Sequence, residues 1–294
     1  MRVTDKMVYD MITQSLAHRA EGIMKTQKSI STGKRVNKPS DDPVAMAQIL
    51  DCRTHLASMD QYAKNMDRGI TWLKASESSL YEANELLARV KELVLSQVTG
   101  TATTETRHAT AEEVTHIFEQ LIALANTQVG DNFIFSGFKT DTSPFLSTSD
   151  YTYQGDTGAI QIETARSQKV TINLNGSEVF TGGPVNIFQT LDDVVTHLQN
   201  DDTSGLQTDL DALDSSISHI LVKVTEIGGK TRPLESTRSH LEDLRLNTTE
   251  LLSELEDMDL VEAVAELSMQ QTAYQASLAS SSRLLQMSLL DFLG

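Results

Sequence analysis

Five features of this 294-residue chain have residue types and spacings that could do chemistry. Gly228-Gly229-Lys230-Thr231 ends like a phosphate-binding loop, in which backbone N–H groups cradle phosphates and a lysine reaches the outer ones. That motif needs a glycine at 224, where this chain has Val224, so a helix irregularity accounts for the glycines. Seven histidines (18, 55, 108, 116, 197, 219 and 240) could ligate metal, but none stands in His-x-x-x-His spacing and they read as solvated helix-surface residues. Asp41-Asp42 could hold a cation. A simpler role is available, because aspartate caps a helix and Pro43 behind it fits the first helical position, where its missing N–H costs nothing. Cys52 is the single cysteine, which excludes an intramolecular disulfide or a zinc cluster and leaves a small core residue. The sequons at 175–177 and 247–249 are matched by chance. No catalytic, cofactor-binding or metal-ligating residue is assigned, no cofactor is expected, and the chain is expected not to be an enzyme.

The net charge of −17 argues against nucleic acid as a partner, since phosphates call for a basic face. That charge is unevenly spread: residues 1–42 carry +3, 43–259 carry −18 and 260–294 carry −2. No run of eighteen apolar residues exists, so no membrane insertion is expected, and the first residues lack the apolar core of a secretory signal. Aromatics are only 5%, which suggests packed helices rather than a deep globular core.

Apolar periodicity places the elements. Val8, Ile12, Leu16, Ile23 and Ile30 form a stripe too narrow to hold a helix alone in water. Pro39 ends that helix and Asp42-Pro43 start another, so Pro39, Asp42 and Pro43 mark a break between units. Beyond it, Ile49, Cys52, Leu56, Met59, Ala63, Met66, Ile70 and Leu73 alternate three and four apart, and the pattern continues through Leu80, Leu87, Val94 and Val98. This is a heptad seam. A second helix is expected near 107–129. Turn residues and β-rich segments follow, with strands expected at 133–135, "YTYQ", "AIQIETA", "KVTINL" and "SEVF". Helix returns at 186–200 and again from Thr203, with a seam from Leu206 to Ile227 that resumes at Leu234. Pro233 predicts a kink or short break at 228–233. The last helix carries only Arg283 and Asp291 as charges after Leu267, with Leu267, Tyr274, Leu278, Leu285, Leu289 and Phe292 as its apolar face. A helix clad in Ser and Gln instead of charges is suited to a protein environment on most sides.

The order of elements predicts a mainly α fold: a long antiparallel helical bundle or coiled coil, with paired terminal helices and a small inserted β module near the end far from the termini. The expected domains are 1–42 with 258–294 for assembly, 43–140 with 185–257 for the long-helix bundle, and 141–184 for the β module.

Four stretches carry a family likeness: "NKPSDDPVAMAQ" at 37–48, "GDNFIFSGFKTDTSPF" at 130–145, "YQGDTG" at 153–158 and "YQASLASSSRLLQMSLLDFL" at 274–293. With these the chain resembles the flagellin superfamily over essentially its whole length. Filament flagellins usually have an Ala-rich first stretch and a C-terminal Gln-Ala-Asn run, where this chain has Ser281-Ser282-Arg283. Those departures favour the hook-associated, or hook–filament junction, branch, with a self-polymerising filament flagellin as the alternative. The resemblance implies a structural subunit of the bacterial flagellum, exported by the flagellar type III apparatus to the outside of the cell. It implies self-association in a homo-oligomeric layer, contacts with flagellin filament subunits and another hook-associated protein, and an export chaperone. It also implies that the ends fold only on assembly. The expected assembly interface is Val8, Ile12, Leu16, Ile23, Leu267, Tyr274, Leu278, Leu285, Leu289 and Phe292.

Overall fold

The computed structural model describes residues 5–99 and 102–293, with the side chains of Asp5, Val8 and 284–293 outside the description. Six α-helices span α1 Asp5–Thr32, α2 Pro43–Val98, α3 Thr104–Ala125, α4 Ile187–Gln199, α5 Thr203–Glu256 and α6 Leu260–Leu293. Two short hairpins, β1 Gln128–Val129 with β2 Asn132–Phe133 and β3 Gln161–Ala165 with β4 Gln168–Thr171, lie between α3 and α4. The chain divides into two compact units, residues 1–58 with 244–294 and residues 59–243, so α2 and α5 each contribute to both.

In the 59–243 unit the heptad positions of α2 deliver the core. Met66, Leu73, Leu80, Leu87 and Val94, each seven apart, are all fully buried. Facing them, Leu206, Leu213, Ile220, Val224 and Ile227 of α5 are buried as well. Ion pairs along the two helices give their direction. Asp67 pairs with Arg238, Lys74 with Glu235 at 2.7 Å, and Lys91 with Asp214, so partner numbers fall on α5 as they rise on α2. The helices are antiparallel.

α3 turns back along α2. Thr103 caps it, accepting from the Thr106 N–H at 3.3 Å while the Thr106 hydroxyl accepts from the Thr103 N–H at 3.0 Å. Arg107 then reaches the Gln97 carbonyl, Arg89 reaches Glu113 at 3.0 Å, and Ser79 donates to Thr127 at 3.0 Å. Asn186 caps α4 through the Phe188 and Gln189 N–H groups. α4 packs on α3 and runs back toward its start, where Asp201 meets Thr104 at 2.7 Å and Arg107 at 2.9 Å. The helices of this unit therefore alternate in direction, in the manner of an up-down bundle.

Low aromatic content does not prevent a ring cluster. Five of the eight phenylalanines contribute to it. Phe188 stands at its centre, 4.8 Å from Phe145, 5.4 Å from Phe180, 5.8 Å from Phe118 and 5.9 Å from Tyr151. The irregular 126–160 segment wraps these rings and its polar groups are tied down. Asn126 exchanges two hydrogen bonds with the backbone of Phe145, and the Tyr153 hydroxyl donates to the carbonyls of Phe135 and Asp156, both at 2.8 Å. Burial pushes the Tyr153 phenol up to about 12. The Asp156 carboxylate accepts from the Phe138 and Gly158 N–H groups, which holds its pKa below the usual carboxylate value. Gly137 has φ 71°, and a Cβ there would lie 2.2 Å from Asp156 Oδ1, so only glycine fits.

The structure corrects four expectations. "YTYQ" is not a strand, because Tyr153 and Tyr151 serve the ring cluster, and "SEVF" lies in a π-helical turn, Ser177–Thr181, that buries Val179 and Phe180. The β3–β4 hairpin does not sit at the far end of α2. Asn65 donates to the Glu163 carbonyl at 3.0 Å, and a Cβ on Gly69 would lie 2.6 Å from Ile162, so the hairpin lies along the helix at 65–69. Pro233 does not end its helix, and α5 is continuous through it. Proline removes one backbone hydrogen bond. Ile227, Thr231 and Leu234, all buried on one side, hold the flanking turns in place, and Thr231 donates to the Ile227 carbonyl at 2.9 Å.

Candidate assembly interface

The 1–58/244–294 unit pairs the two terminal helices. α1 ends on Gly33 in the left-handed conformation, φ 69°, a position that glycine occupies without steric cost. The chain then meets the turn between α5 and α6. Arg35 N–H donates to the Glu256 carbonyl at 2.7 Å and Met258 N–H to the Gly33 carbonyl at 3.1 Å, with Lys34 and Asp257 bridged antiparallel. Higher up, Thr26 donates to Gln270 at 3.1 Å. α1 and α6 are antiparallel neighbours from there.

The Pro39–Pro43 break becomes a rigid turn. Asp42 caps α2 as its position predicts, accepting from the Val44 N–H at 3.1 Å and the Ala45 N–H at 2.9 Å. Asp41 accepts from the Asn37 and Lys38 N–H groups and pairs with Lys25 at 3.1 Å. The Lys25 contact, with those backbone bonds, holds its carboxyl below the ordinary value. Behind the turn, Val36, Ala45 and Ile49 form a small core with Met46, Leu252 and Leu255. Glu256 is buried beside it and pairs with both Lys34 and Arg53.

Of the expected interface residues, Ile12, Leu16, Ile23, Leu267 and Tyr274 are half-buried, and their cover comes from the pairing of α1 with α6. Leu278 is 43% exposed. Val8, Leu285, Leu289 and Phe292 lie outside the described side chains. The periodic stripes thus fall largely toward the partner helix within the chain. The strongly exposed apolar residues are others: Met7, Met11 and Met24 on α1, and Val261, Val264 and Met269 on α6, from 54% to 81% exposed. Their spacings, four for Met7 and Met11 and three for Val261 and Val264, form a second, shorter stripe beside the first. That spacing points in the sequence to Met7 with Met11 and to Val261 with Val264, whereas Met24, thirteen residues past Met11, and Met269, five past Val264, fall off it.

Burial in the helix pair is slight. Ser29 is the only fully buried residue among the described side chains of α1, and Ala263 among those of α6. A half-buried Leu or Ile gains less than the roughly 1.5–3 kcal/mol of full burial. Ordering each residue costs about 1–2 kcal/mol of backbone entropy. Such a pair gains stability by covering its outer faces. No helix among the described residues is long and apolar enough to cross a membrane.

A structural protein whose two ends return to each other as paired helices, with a globular insert between them, is the class that this geometry defines. The chain matches the family model "Bacterial flagellin N-terminal helical region" over residues 3–140 and "Bacterial flagellin C-terminal helical region" over residues 210–293. It is 29% identical to "Flagellar hook-associated protein 3" of Escherichia coli K12, over 94% of this chain and 95% of that protein. The protein of the same name from Salmonella typhimurium is 27% identical over the same shares. Flagellin of Bacillus subtilis is 23% identical over 95% of this chain and 94% of that protein. A solved structure described as a putative flagellar hook-associated protein from Vibrio parahaemolyticus shares the fold, with TM-score 0.68, 23% identity, 74% of this chain and all of that one. The flagellar hook-associated protein-3 of Legionella pneumophila does so with TM-score 0.63, 17% identity, 70% of this chain and 98% of that one. The chain belongs to the flagellin superfamily and is a structural component of the bacterial flagellum. Membership carries with it association with copies of itself and with other flagellar components.

Proposed function

We propose that this chain forms an adaptor layer joining the flagellar hook to the flagellin filament, and that its terminal helices build the layer by self-association. The observation that carries this reading is the paired α1 and α6 with exposed Met7, Met11, Met24, Val261, Val264 and Met269 and almost no buried side chains of their own. Copies packed side by side would cover those residues and stabilise helices that a single chain holds weakly. The names of the two relatives with the highest identity quoted above support the junction role over that of a filament subunit. In this reading the chain performs no catalysis, contacts flagellin subunits on one side and another hook-associated protein on the other, and lies outside the cell after flagellar type III export. A dedicated chaperone would cover α6 until export. Residues 1–42 and 258–294 act as the assembly segments.

The test removes residues 285–294. The expected product is soluble and helical but no longer supports filament growth, and a truncated chain that assembles normally overturns the proposal. Hydrogen exchange on the free chain is expected to find unprotected amides before about residue 40 and after about residue 260, with protection between. Long homopolymers grown from the purified chain alone would favour a filament flagellin instead.

A further inference from the structure

Methionine is segregated between the two units. Eight of the ten, all but Met59 and Met66, fall in the 1–58/244–294 unit, whereas seven of the eight phenylalanines, all but Phe292, fall in the 59–243 unit. The 59–243 unit therefore packs with rings, and the helix pair carries thioethers. Those thioethers differ in access. Met7, Met11, Met24 and Met269 are from 59% to 67% exposed, while Met46 and Met258 are half-buried and Met66, in the other unit, is fully buried. Met7 and Met11, four apart, share a face of α1. Met24 stands beside Lys28 and the 37–41 turn, and Met269 lines the groove between α1 and α6 with His18 and Gly22. They are four of the six apolar residues whose cover by neighbouring copies underlies the proposed layer.

A thioether differs from the two valines that share these faces in that a mild two-electron oxidant makes it polar. With hydrogen peroxide, a sulfur lone pair attacks one peroxide oxygen, the O–O bond breaks and an S–O bond forms. Sulfur loses two electrons, and the departing oxygen takes up the proton of the transferred hydroxyl and leaves as water. The sulfoxide carries a strong hydrogen-bond acceptor where a neighbour would bring an apolar surface, so covering it would leave that oxygen unpaired. We propose that Met7, Met11, Met24 and Met269 are an oxidation site of the free chain, and that sulfoxides at these positions keep a copy out of the layer. Access is the selecting factor. Loosening of α1 and α6 in the free chain opens the same four further, whereas Met66 stays inside the 59–243 core. Assembly closes the site, so a copy already in the layer is shielded. The proposal rests on that layer and adds a chemical filter on the copies that enter it.

The experiment treats the purified full-length chain with hydrogen peroxide, maps sulfoxides by peptide mass spectrometry, and measures binding to flagellar hooks isolated from cells that lack the chain. Sulfoxides at the four positions are expected to form at least about tenfold faster than at Met66, and binding to fall at least about tenfold with them. Reduction by the two sulfoxide reductases, one for each epimer, is expected to restore binding without any change of sequence. A chain with Met7→Leu, Met11→Leu, Met24→Leu and Met269→Leu keeps the apolar faces and should bind equally well before and after peroxide. The same four positions changed to Gln, which places a polar group of similar length there, should bind weakly with no peroxide at all. Oxidation of Met66 as fast as of the four, binding of the treated chain at the untreated level, or a Leu chain that loses binding to peroxide as the wild type does, overturns the proposal. Failure of the untreated wild-type chain to bind would instead overturn the proposed layer, while the sulfoxide map would still decide the site.

Discussion

Glu256 offers the most discriminating perturbation. Its side chain is 5% exposed, whereas those of Lys34 and Arg53 are 40% and 47% exposed. The two ends of this clamp should therefore respond unequally. Glu256→Gln removes the buried charge and lets both cations turn to water, at a cost of about 1 kcal/mol, typical of partly exposed pairs. Lys34→Met with Arg53→Met strands a carboxylate in the interior, at a cost of about 3–5 kcal/mol. The readout is hydrogen exchange at amides beside this clamp within the span expected to be protected, Met46 N–H to the Asp42 carbonyl and Asp257 N–H to the Ser253 carbonyl. At 1.4 kcal/mol per tenfold, the double variant should lose roughly a hundredfold or more of protection there, and Glu256→Gln about fivefold. If Glu256→Gln loses as much protection as the double variant, asymmetric burial is not what governs the clamp.

Phe188→Ala should lower the stability of the 59–243 unit by about 3–5 kcal/mol in denaturant unfolding, since a buried ring at the centre of four others leaves a cavity. Gly137→Ala should destabilise by about 2 kcal/mol or more, because φ is positive and Asp156 occupies the space, while Gly228→Ala, with open space in a helix, should stabilise by about 0.5–1 kcal/mol. The same unfolding curves test both. His197 lies 2.7 Å from the buried Asp209 carboxylate, and that hydrogen bond raises the imidazole pKa above its ordinary 6.5. Its stabilising effect is complete below 6.5 and is lost as pH rises through the raised folded value, so unfolding midpoints should fall across that window and His197→Gln should flatten the fall. Burial also pushes the Asp209 carboxyl up.

The long helices were legible because heptad spacing is a direct image of a seam. Met66, Leu73, Leu80, Leu87 and Val94 were readable as core from number alone. The Asp42 cap followed from one residue type at one position. Local rules failed where distant groups decide. "SEVF" alternates like a strand, yet Phe180 is claimed by Phe188 and Phe145, which no local pattern reveals. Beyond Leu241 the α5 stripe continues in the sequence, but Leu244 and Leu251 are 39% and 47% exposed, because periodicity reports a face and not what covers it. The terminal stripes posed the same ambiguity. Ile12, Leu16, Ile23, Leu267 and Tyr274 are partly covered within the chain, and the second stripe around Met11 and Val261 bears the open surface.

The β3–β4 hairpin is anchored along β3 and at its base, and not at its tip. Asn65 holds the Glu163 carbonyl, Gly69 admits Ile162, and the buried Asn173 side chain donates to the Gly158 carbonyl and accepts from the Ile160 N–H. Its other extremity, Arg166 and Ser167, is exposed. Foreign sequence spliced between those two residues would lengthen a free tip without touching the anchor, so this hairpin is a natural mounting point for a displayed epitope or affinity tag.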